Sequence, residues 1–250
     1  MNERIVIIPT YNEKENIEQM IRYVAGLKPG FDLLIVEDNS PDGTGKIVRG
    51  LQAEFPRLHI LERPGKQGLG TAYIAGFRWA LEKGYKYIFE MDADFSHNPD
   101  DLVRLFEACR EEADMVIGSR YVTGVNVVNW PMGRVLMSYF ASKYVRLITG
   151  MKVHDTTAGF VCYRKEVLET IDLNRIRFKG YAFQIEMKFS AWQYGFRIKE
   201  IPIIFTDRTR GASKMSGGIF TEAILGVIAM KLSSLFTRKY KRQQRAVNRV

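Results

Sequence analysis

The spacing of apolar residues changes period repeatedly along the chain, and each change marks an element. Residues 4–9 (RIVIIP) form a short, almost continuous apolar run that ends in Thr10-Tyr11-Asn12-Glu13. Ile17, Met20, Ile21, Val24 and Leu27 then recur at helical spacing until Pro29-Gly30 stops the helix. The alternation repeats. Strands are predicted at 32–36, 58–61, 87–91 and 114–118. Helices are predicted from Thr44 to about Phe55, along Leu69, Ala72, Tyr73, Gly76, Phe77, Ala80 and Leu81, and from Pro99 along Leu102, Val103, Leu105, Phe106 and Cys109. Strands and helices in strict alternation with short connections predict an α/β fold, a mainly parallel sheet with helices on both faces.

Ligands of such a sheet bind at the carboxyl ends of its strands. The polar stretches 11–13, 37–42, 92–94 and 119–121 all fall at those ends, so they amount to one rim. The second half is less regular. A helix is predicted within 130–150, carrying Arg134, Ser138, Lys143 and Arg146. Strand-like residues 159–164, a long helix over 180–194 with Gln184, Glu186 and Lys188, and strand material at 196–205 broken by Pro202 follow. A basic loop, 207–214, comes next.

Residues 219–236 are strongly apolar but include Glu222 and Lys231. They are barely long enough for a bilayer, which takes roughly 20 apolar residues. Ile219, Phe220, Ala223, Ile224, Val227, Ile228 and Leu235 predict one wide apolar stripe, and Arg238, Lys239, Lys241, Arg242, Arg245 and Arg249 follow it. The division expected is therefore a catalytic domain over 1–215 and, over 216–250, an amphipathic helix with a basic tail lying in a membrane interface. A helix docked on the domain, with a solvated tail, is the plainer alternative.

The formal net charge of +9 over 250 residues points to an anionic partner. The basic tail follows an apolar helix rather than an aromatic stacking surface, which favours lipid over nucleic acid. Cys109 and Cys162 lack metal-ligand spacing and lie among apolar residues, as buried reduced thiols do. The chain runs almost directly into a strand without a signal-peptide pattern, so the expected location is the cytoplasmic face of a membrane, held peripherally.

Asp92 and Asp94 sit two residues apart just past a strand, where an extended chain turns both carboxylates the same way. Such a pair suits a divalent cation with oxygen ligands, Mg²⁺ or Mn²⁺. The spacing alone serves equally a strand that ends in a polar loop. Gly68-Leu69-Gly70 lacks the third glycine of a dinucleotide fingerprint, and no Walker-type Gly-Lys-Ser/Thr occurs, which disfavours an oxidoreductase. A nucleoside diphosphate held through a metal fits better. Residues 9–13 could hold its base, Asp38 its base or ribose, and Arg208 and Lys214 could close over the phosphates from a loop hinged at Gly211. Taken singly, each of these also fits packing, turn capping or ordinary surface charge.

Six blocks in order, residues 9–13 (PTYNE), 36–44 (VEDNSPDGT), 68–73 (GLGTAY), 91–99 (MDADFSHNP), 118–121 (GSRY) and 207–214 (DRTRGASK), resemble the inverting glycosyltransferases of family 2. Within that family they are similar to the dolichol-phosphate (polyprenol-phosphate) mannose synthases. The resemblance implies the GT-A glycosyltransferase fold, with a Rossmann-like sheet, and transfer of mannose from GDP-mannose to a polyprenyl or dolichyl phosphate. It implies that Pro9, Tyr11, Glu13, Val36 and Asp38 hold the guanosine, and that Asp92 and Asp94 hold Mg²⁺ or Mn²⁺. Met91 and Ala93 would lie by the nucleotide sugar, and Arg120, Arg208 and Lys214 would meet phosphates. Glu37, Asn39 and Ser96 depart from residues common in the family, and the paired membrane-spanning helices of some members are absent. The likeness is then to a short branch whose members can depend on membrane subunits.

Phosphate monoesters have a second pKa of about 6, so the acceptor needs cations more than a strong base. Arg120, Arg134 and Ser138 are expected to hold it, the last two one helical turn apart. The expected catalytic set is Asp94, Arg120 and Arg208; His97 and His154 are left out. The rivals are a transferase using another donor, such as UDP-glucose, and a non-catalytic nucleotide-binding scaffold at the membrane.

Overall fold

The computed structural model describes residues 3–180, 182–208 and 219–236. The first half runs β1 (Arg4–Thr10), α1 (Ile17–Gly26), β2 (Asp32–Glu37), α2 (Thr44–Leu51), β3 (Leu58–Glu62), α3 (Leu69–Glu82), β4 (Tyr87–Glu90), α4 (Asp101–Glu111) and β5 (Met115–Ser119). The second runs β6 (Val127–Val128), α5 (Met132–Thr149), β7 (Val161–Arg164), α6 (Lys165–Thr170), α7 (Ala182–Gln193), β8 (Ile198–Pro202), β9 (Phe205–Thr206) and α8 (Ile219–Phe236).

Seven strands pair in the order β3-β2-β1-β4-β7-β5-β8. Alternate residues of β1 and β2 enter opposite cores. Val6, Ile8, Leu33 and Ile35 pack with α1, α2 and α4, while Ile5, Ile7, Leu34 and Val36 pack with α3, α6 and α7. Burial on both faces is why these strands read as unbroken apolar runs. The order reverses at β1, which pairs with β2 on one side and β4 on the other. That switch opens a crevice at the carboxyl ends of β1 and β4.

The sheet is mainly parallel, as expected, with one reversal. β7 runs antiparallel to both of its neighbours, β4 and β5. An apolar run carries no direction, so the pattern of residues 159–164 could not show this. A second pairing, β6 with β9, has two residues per strand and is too short for any periodicity to signal. It has a large effect on the site. Phe205 N–H donates to Asn126 O (3.0 Å), Thr206 N–H to Ser96 O (3.2 Å) and Asp207 N–H to Val128 O (3.0 Å). Residues 205–207 are thereby stitched between the loop after β4 and the approach to α5.

α8 packs on α5 and α7, with Val227 and Met230 buried against Val145, Met151, Ile185 and Phe189. The expected stripe is corrected here: Ile228 faces outward with Leu225 and Leu232, and Met230 takes an inward place. No described helix is long and apolar enough to cross a membrane. Gly211, Lys214 and the basic tail lie outside the described residues. Cys109 and Cys162 are buried and free.

Helix α3 approaches the sheet closely at Gly76. A Cβ there would stand 2.7 Å from Cγ2 of Ile7, a fully buried residue of β1. Gly76→Ala should therefore lower stability by about 1–3 kcal/mol, since the core must shift to admit one methyl group. A denaturant midpoint equal to the parent's would contradict this packing.

Candidate active site

Past β4, Met91 and Ala93 turn into the core at 0% and 4% exposure, and Asp92 and Asp94 take the alternate positions at the rim. Phe95 has φ +60°, a left-handed conformation costly for an aromatic residue. That turn folds Ser96 back, so its N–H (3.1 Å) and its hydroxyl both donate to Asp94 Oδ1. Asp94 Oδ2 pairs with Arg208 Nη2 at 3.0 Å. Solvent reaches 39% of the Asp92 side chain. Its carboxyl is nevertheless pushed up to about 7, by the surrounding protein first and then by the charge of Asp94, with Arg208 opposing. The two carboxylates are thus close enough to repel, and Arg208 relieves them.

His97 lies beneath them. Its ring stacks on Phe160 at 4.9 Å, and Nδ1 accepts from the Asp92 N–H at 3.4 Å. Burial lowers the imidazole to about 4, so it is neutral and orients the Asp92 backbone.

On the nucleoside side, the loops after β1 and β2 are tied together. Asn12 N–H donates to Ser40 Oγ (3.1 Å), Glu13 N–H to Thr44 Oγ1 (3.0 Å) and Lys14 N–H to Asp42 Oδ2 (3.1 Å). Glu37, one of the departures from the family pattern, accepts from Ser40 N–H and braces the same turn. Asp38 is gripped by Arg63, whose Nε and Nη2 donate to its two oxygens at 2.6 Å each. Arg63 Nη1 also reaches Thr71 Oγ1 at 2.9 Å. The sequence reading missed Arg63, although it follows the carboxyl end of β3 and the rim rule reaches it. Pro9, Tyr11 and Glu13 are half-buried at this end, and Lys66 Nζ stands 5.3 Å from the Tyr11 ring centre. Val36 is fully buried within β2.

Arg120 does not project into the rim as a free phosphate ligand. Its Nε and Nη2 each donate to Asp155 at 2.7 Å, its backbone N–H to the same carboxylate at 3.0 Å, and Nη2 also to Thr157 Oγ1 at 2.8 Å. Burial raises the Asp155 carboxyl, but Arg120's charge and hydrogen bonds outweigh it and hold the group below its usual range. Arg134 pairs with Asp207 at 2.9 Å and lies 4.0 Å over the Trp130 ring. Ser138, on the same helix as Arg134, sits against Tyr121 of the loop after β5. Lys214 lies outside the described residues.

A buried polar network underlies the site. Glu90, wholly buried, accepts from Gln184 Nε2 (2.6 Å) and from the Tyr163 hydroxyl (3.2 Å). Lys188, equally buried, donates to Ala158 O at 2.6 Å and to Gln184. Burial pushes Glu90 up to about 7 and Lys188 down to about 8, each opposed by the other's charge. Glu186 accepts the N–H groups of Arg177 and Phe178 at 2.8 and 3.1 Å. Gln184 and Glu186 are therefore occupied inside the protein. His154 turns to Glu200 instead of the rim, its backbone N–H and its Nδ1 both meeting the Glu200 carboxylate.

Asp92 and Asp94 fit a hard cation: all their donors are oxygen, they repel each other, and an arginine now supplies the positive charge they need. No group of three or more His, Cys, Asp or Glu that could hold a metal occurs among the described residues. The protein would give two carboxylates, and diphosphate or water the remaining oxygens.

Residues 5–172 match the model of glycosyl transferase family 2. The chain is 49% identical, over 92% of its own length and 94% of the relative's, to an undecaprenyl-phosphate mannosyltransferase of Micrococcus luteus. It is 48% identical to a polyprenol monophosphomannose synthase of Mycolicibacterium smegmatis, over 89% and 84% of the two chains. Its fold is similar to that of glucosyl-3-phosphoglycerate synthase from Mycobacterium tuberculosis, solved with Mn²⁺, UDP and phosphoglyceric acid. The TM-score is 0.67 at 17% identity, over 92% of this chain and 77% of that one. The architecture is GT-A-like.

Because His97 is depressed from 6.5 to about 4, the unfolded chain takes up its proton first on acidification. Its contribution is intact above pH about 6.5 and is lost as pH falls toward about 4. His97→Phe, which keeps the ring stack, should flatten the acid limb of the stability profile by on the order of 3 kcal/mol. Acid limbs of equal slope in the two proteins would contradict a neutral buried imidazole.

Proposed function

The chain belongs to glycosyl transferase family 2, and from that premise we propose that it moves mannose from GDP-mannose to a polyprenyl phosphate. Attack by the lipid phosphate inverts the donor linkage and gives a polyprenyl β-mannosyl phosphate. One observation carries this reading. A run of four charges, Arg134, Asp207, Arg208 and Asp94, joins α5 to the end of β4. Such a run would set cations for one anion beside carboxylates able to hold a metal for another. The names of the two close relatives support the polyprenyl acceptor and the mannosyl group.

Pro9, Tyr11, Glu13 and Asp38, with the backbones of Val36, Met91 and Ala93, hold the guanosine diphosphate sugar. Arg63 fixes Asp38 in place. Asp92 and Asp94 would hold Mg²⁺ or Mn²⁺, which when bound offsets the charge of the departing diphosphate; the fold relative solved with Mn²⁺ and UDP supports a divalent ion. Arg208 and Lys214 neutralise the same phosphates. Arg134 and Ser138 bind the acceptor phosphate, already largely ionised at neutral pH. The neutral, buried His97 is not needed as a base. Arg120 acts as a positioning residue: bound to Asp155 and lying 5.5 Å from the Trp130 ring, it shapes the wall on which Arg134 stacks.

The acceptor's polyprenyl chain is membrane-bound, and the outer faces of α5 and α8 suit that setting. Met132, Leu136, Phe140 and Leu147 are exposed on α5, and Leu225, Ile228 and Leu232 on α8, which packs beside it. Exposed apolar residues in such continuity mark an interaction surface. We assign it, together with the basic tail beyond residue 236, to the cytoplasmic interface of a bilayer.

Purified protein given Mn²⁺, polyprenyl phosphate and radiolabelled GDP-mannose should yield organic-extractable label, and UDP-glucose should yield none. Label from UDP-glucose instead would overturn the donor assignment. Arg134→Ala should raise KM for polyprenyl phosphate at least tenfold while donor KM stays within about threefold, since a charge-assisted phosphate contact is lost. Equal rises in both would contradict the acceptor role. Leu136→Glu combined with Phe140→Glu should cut co-sedimentation with anionic vesicles at least tenfold; retention by the vesicles would remove α5 from the membrane face.

A further inference from the structure

We propose that Asp207 is a positioning residue that links the two substrate sites, because it and Arg208 hold opposite sides of the reaction centre from adjacent positions. This rests on the donor and acceptor roles given above and goes beyond them. Asp207 Oδ1 pairs with Arg134 Nη1 at 2.9 Å, and Arg208 Nη2 pairs with Asp94 Oδ2 at 3.0 Å. Arg208 N–H also donates to Asp207 Oδ1 at 3.1 Å, so the acceptor-side ion pair is bonded to the backbone of the donor-side arginine. The flanking hydrogen bonds to Ser96 and Val128 anchor the segment at 206–207, between the loop after β4 and the entry to α5.

The charges explain what this clasp does. Arg208 pairs with the Asp94 oxygen that a divalent ion would take, and Ser96 fills the other oxygen. A divalent cation on that carboxylate and a guanidinium at 3.0 Å repel each other, so both cannot stay. A diphosphate arriving with the cation gives Arg208 a new anion, and the arginine moves to it. The shift draws the backbone at residue 208 along with the side chain, and the N–H bonded to the Asp207 carboxylate pulls that group away from Arg134. Arg134, already stacked on Trp130, is then free to receive a phosphate monoester. Cation and diphosphate should therefore raise the affinity for the acceptor phosphate, and the acceptor should raise theirs by the same factor.

The test measures binding, so it stands apart from whether mannose is the sugar moved. Calorimetry on the full chain would use farnesyl phosphate as acceptor probe, alone and with Mn²⁺ and inorganic pyrophosphate, which carries the diphosphate without a base. In the parent, Mn²⁺ and pyrophosphate should tighten farnesyl phosphate at least fivefold. In Asp207→Asn, farnesyl phosphate alone should bind about as tightly as it binds the loaded parent, and the coupling should fall to about one. Coupling preserved in that variant, or no farnesyl phosphate binding to the loaded parent, overturns the proposal. Arg208→Gln gives an independent arm. Mn²⁺ alone should bind it at least fivefold more tightly than the parent, because the competing cation is gone. Equal or weaker binding would show that Arg208 does not hold the ion's place.

Discussion

Two carboxylates forced to one side of a strand end must be given a positive partner, and the rest of the site follows from that demand. Asp92 and Asp94 have little freedom to separate. Met91 and Ala93 lock the intervening backbone into the core, and the left-handed turn at Phe95 returns Ser96 onto Asp94. The surrounding protein first, and then the charge of Asp94, push Asp92 up to about 7 even though part of its side chain meets solvent. Arg208 answers the charge from a distant segment. That segment reaches the strand end only because the short pairing of β6 with β9 carries it there.

The sheet supports this arrangement from beneath. The reversed strand β7 lies between β4 and β5, and its Tyr163 reaches Glu90, two residues before Asp92. The loop leading into β7 holds Asp155, which in turn fixes Arg120. Lys188 binds the same loop at Ala158 and joins it to Gln184 and Glu90. A fully satisfied buried network of this kind is rigid, and breaking one member would leave a charge without its partner. The turn carrying Asp92 and Asp94 and the wall behind Arg134 are thus two ends of one hydrogen-bonded framework.

The chain's sequence showed the fold's first half well, because strands buried on both faces announce themselves as unbroken apolar runs between amphipathic helices. It showed the rim for the same reason: polar residues after each such run can only lie at one edge of a parallel sheet. Partners were harder to see. Asp38 read as an open carboxylate, and only the structure reveals Arg63 across it. Arg120 read as a phosphate ligand, while Asp155, distant in sequence, occupies its fork. The direction of β7 and the pairing of β6 with β9 depend on contacts that no local pattern encodes. In α8 apolar residues lie on more than one side, so their spacing could not tell that Met230 faces the domain and Ile228 does not.

Crystals grown with Mn²⁺ and GDP test most directly the proposed binding of a divalent cation by Asp92 and Asp94. An anomalous-difference map should place one manganese peak between Asp92 and Asp94, about 2.1 Å from an oxygen of each and in contact with the diphosphate. Arg208 should have left Asp94 for that diphosphate. A peak remote from both aspartates, or GDP bound with Arg208 still paired to Asp94 and no manganese beside it, would contradict the account.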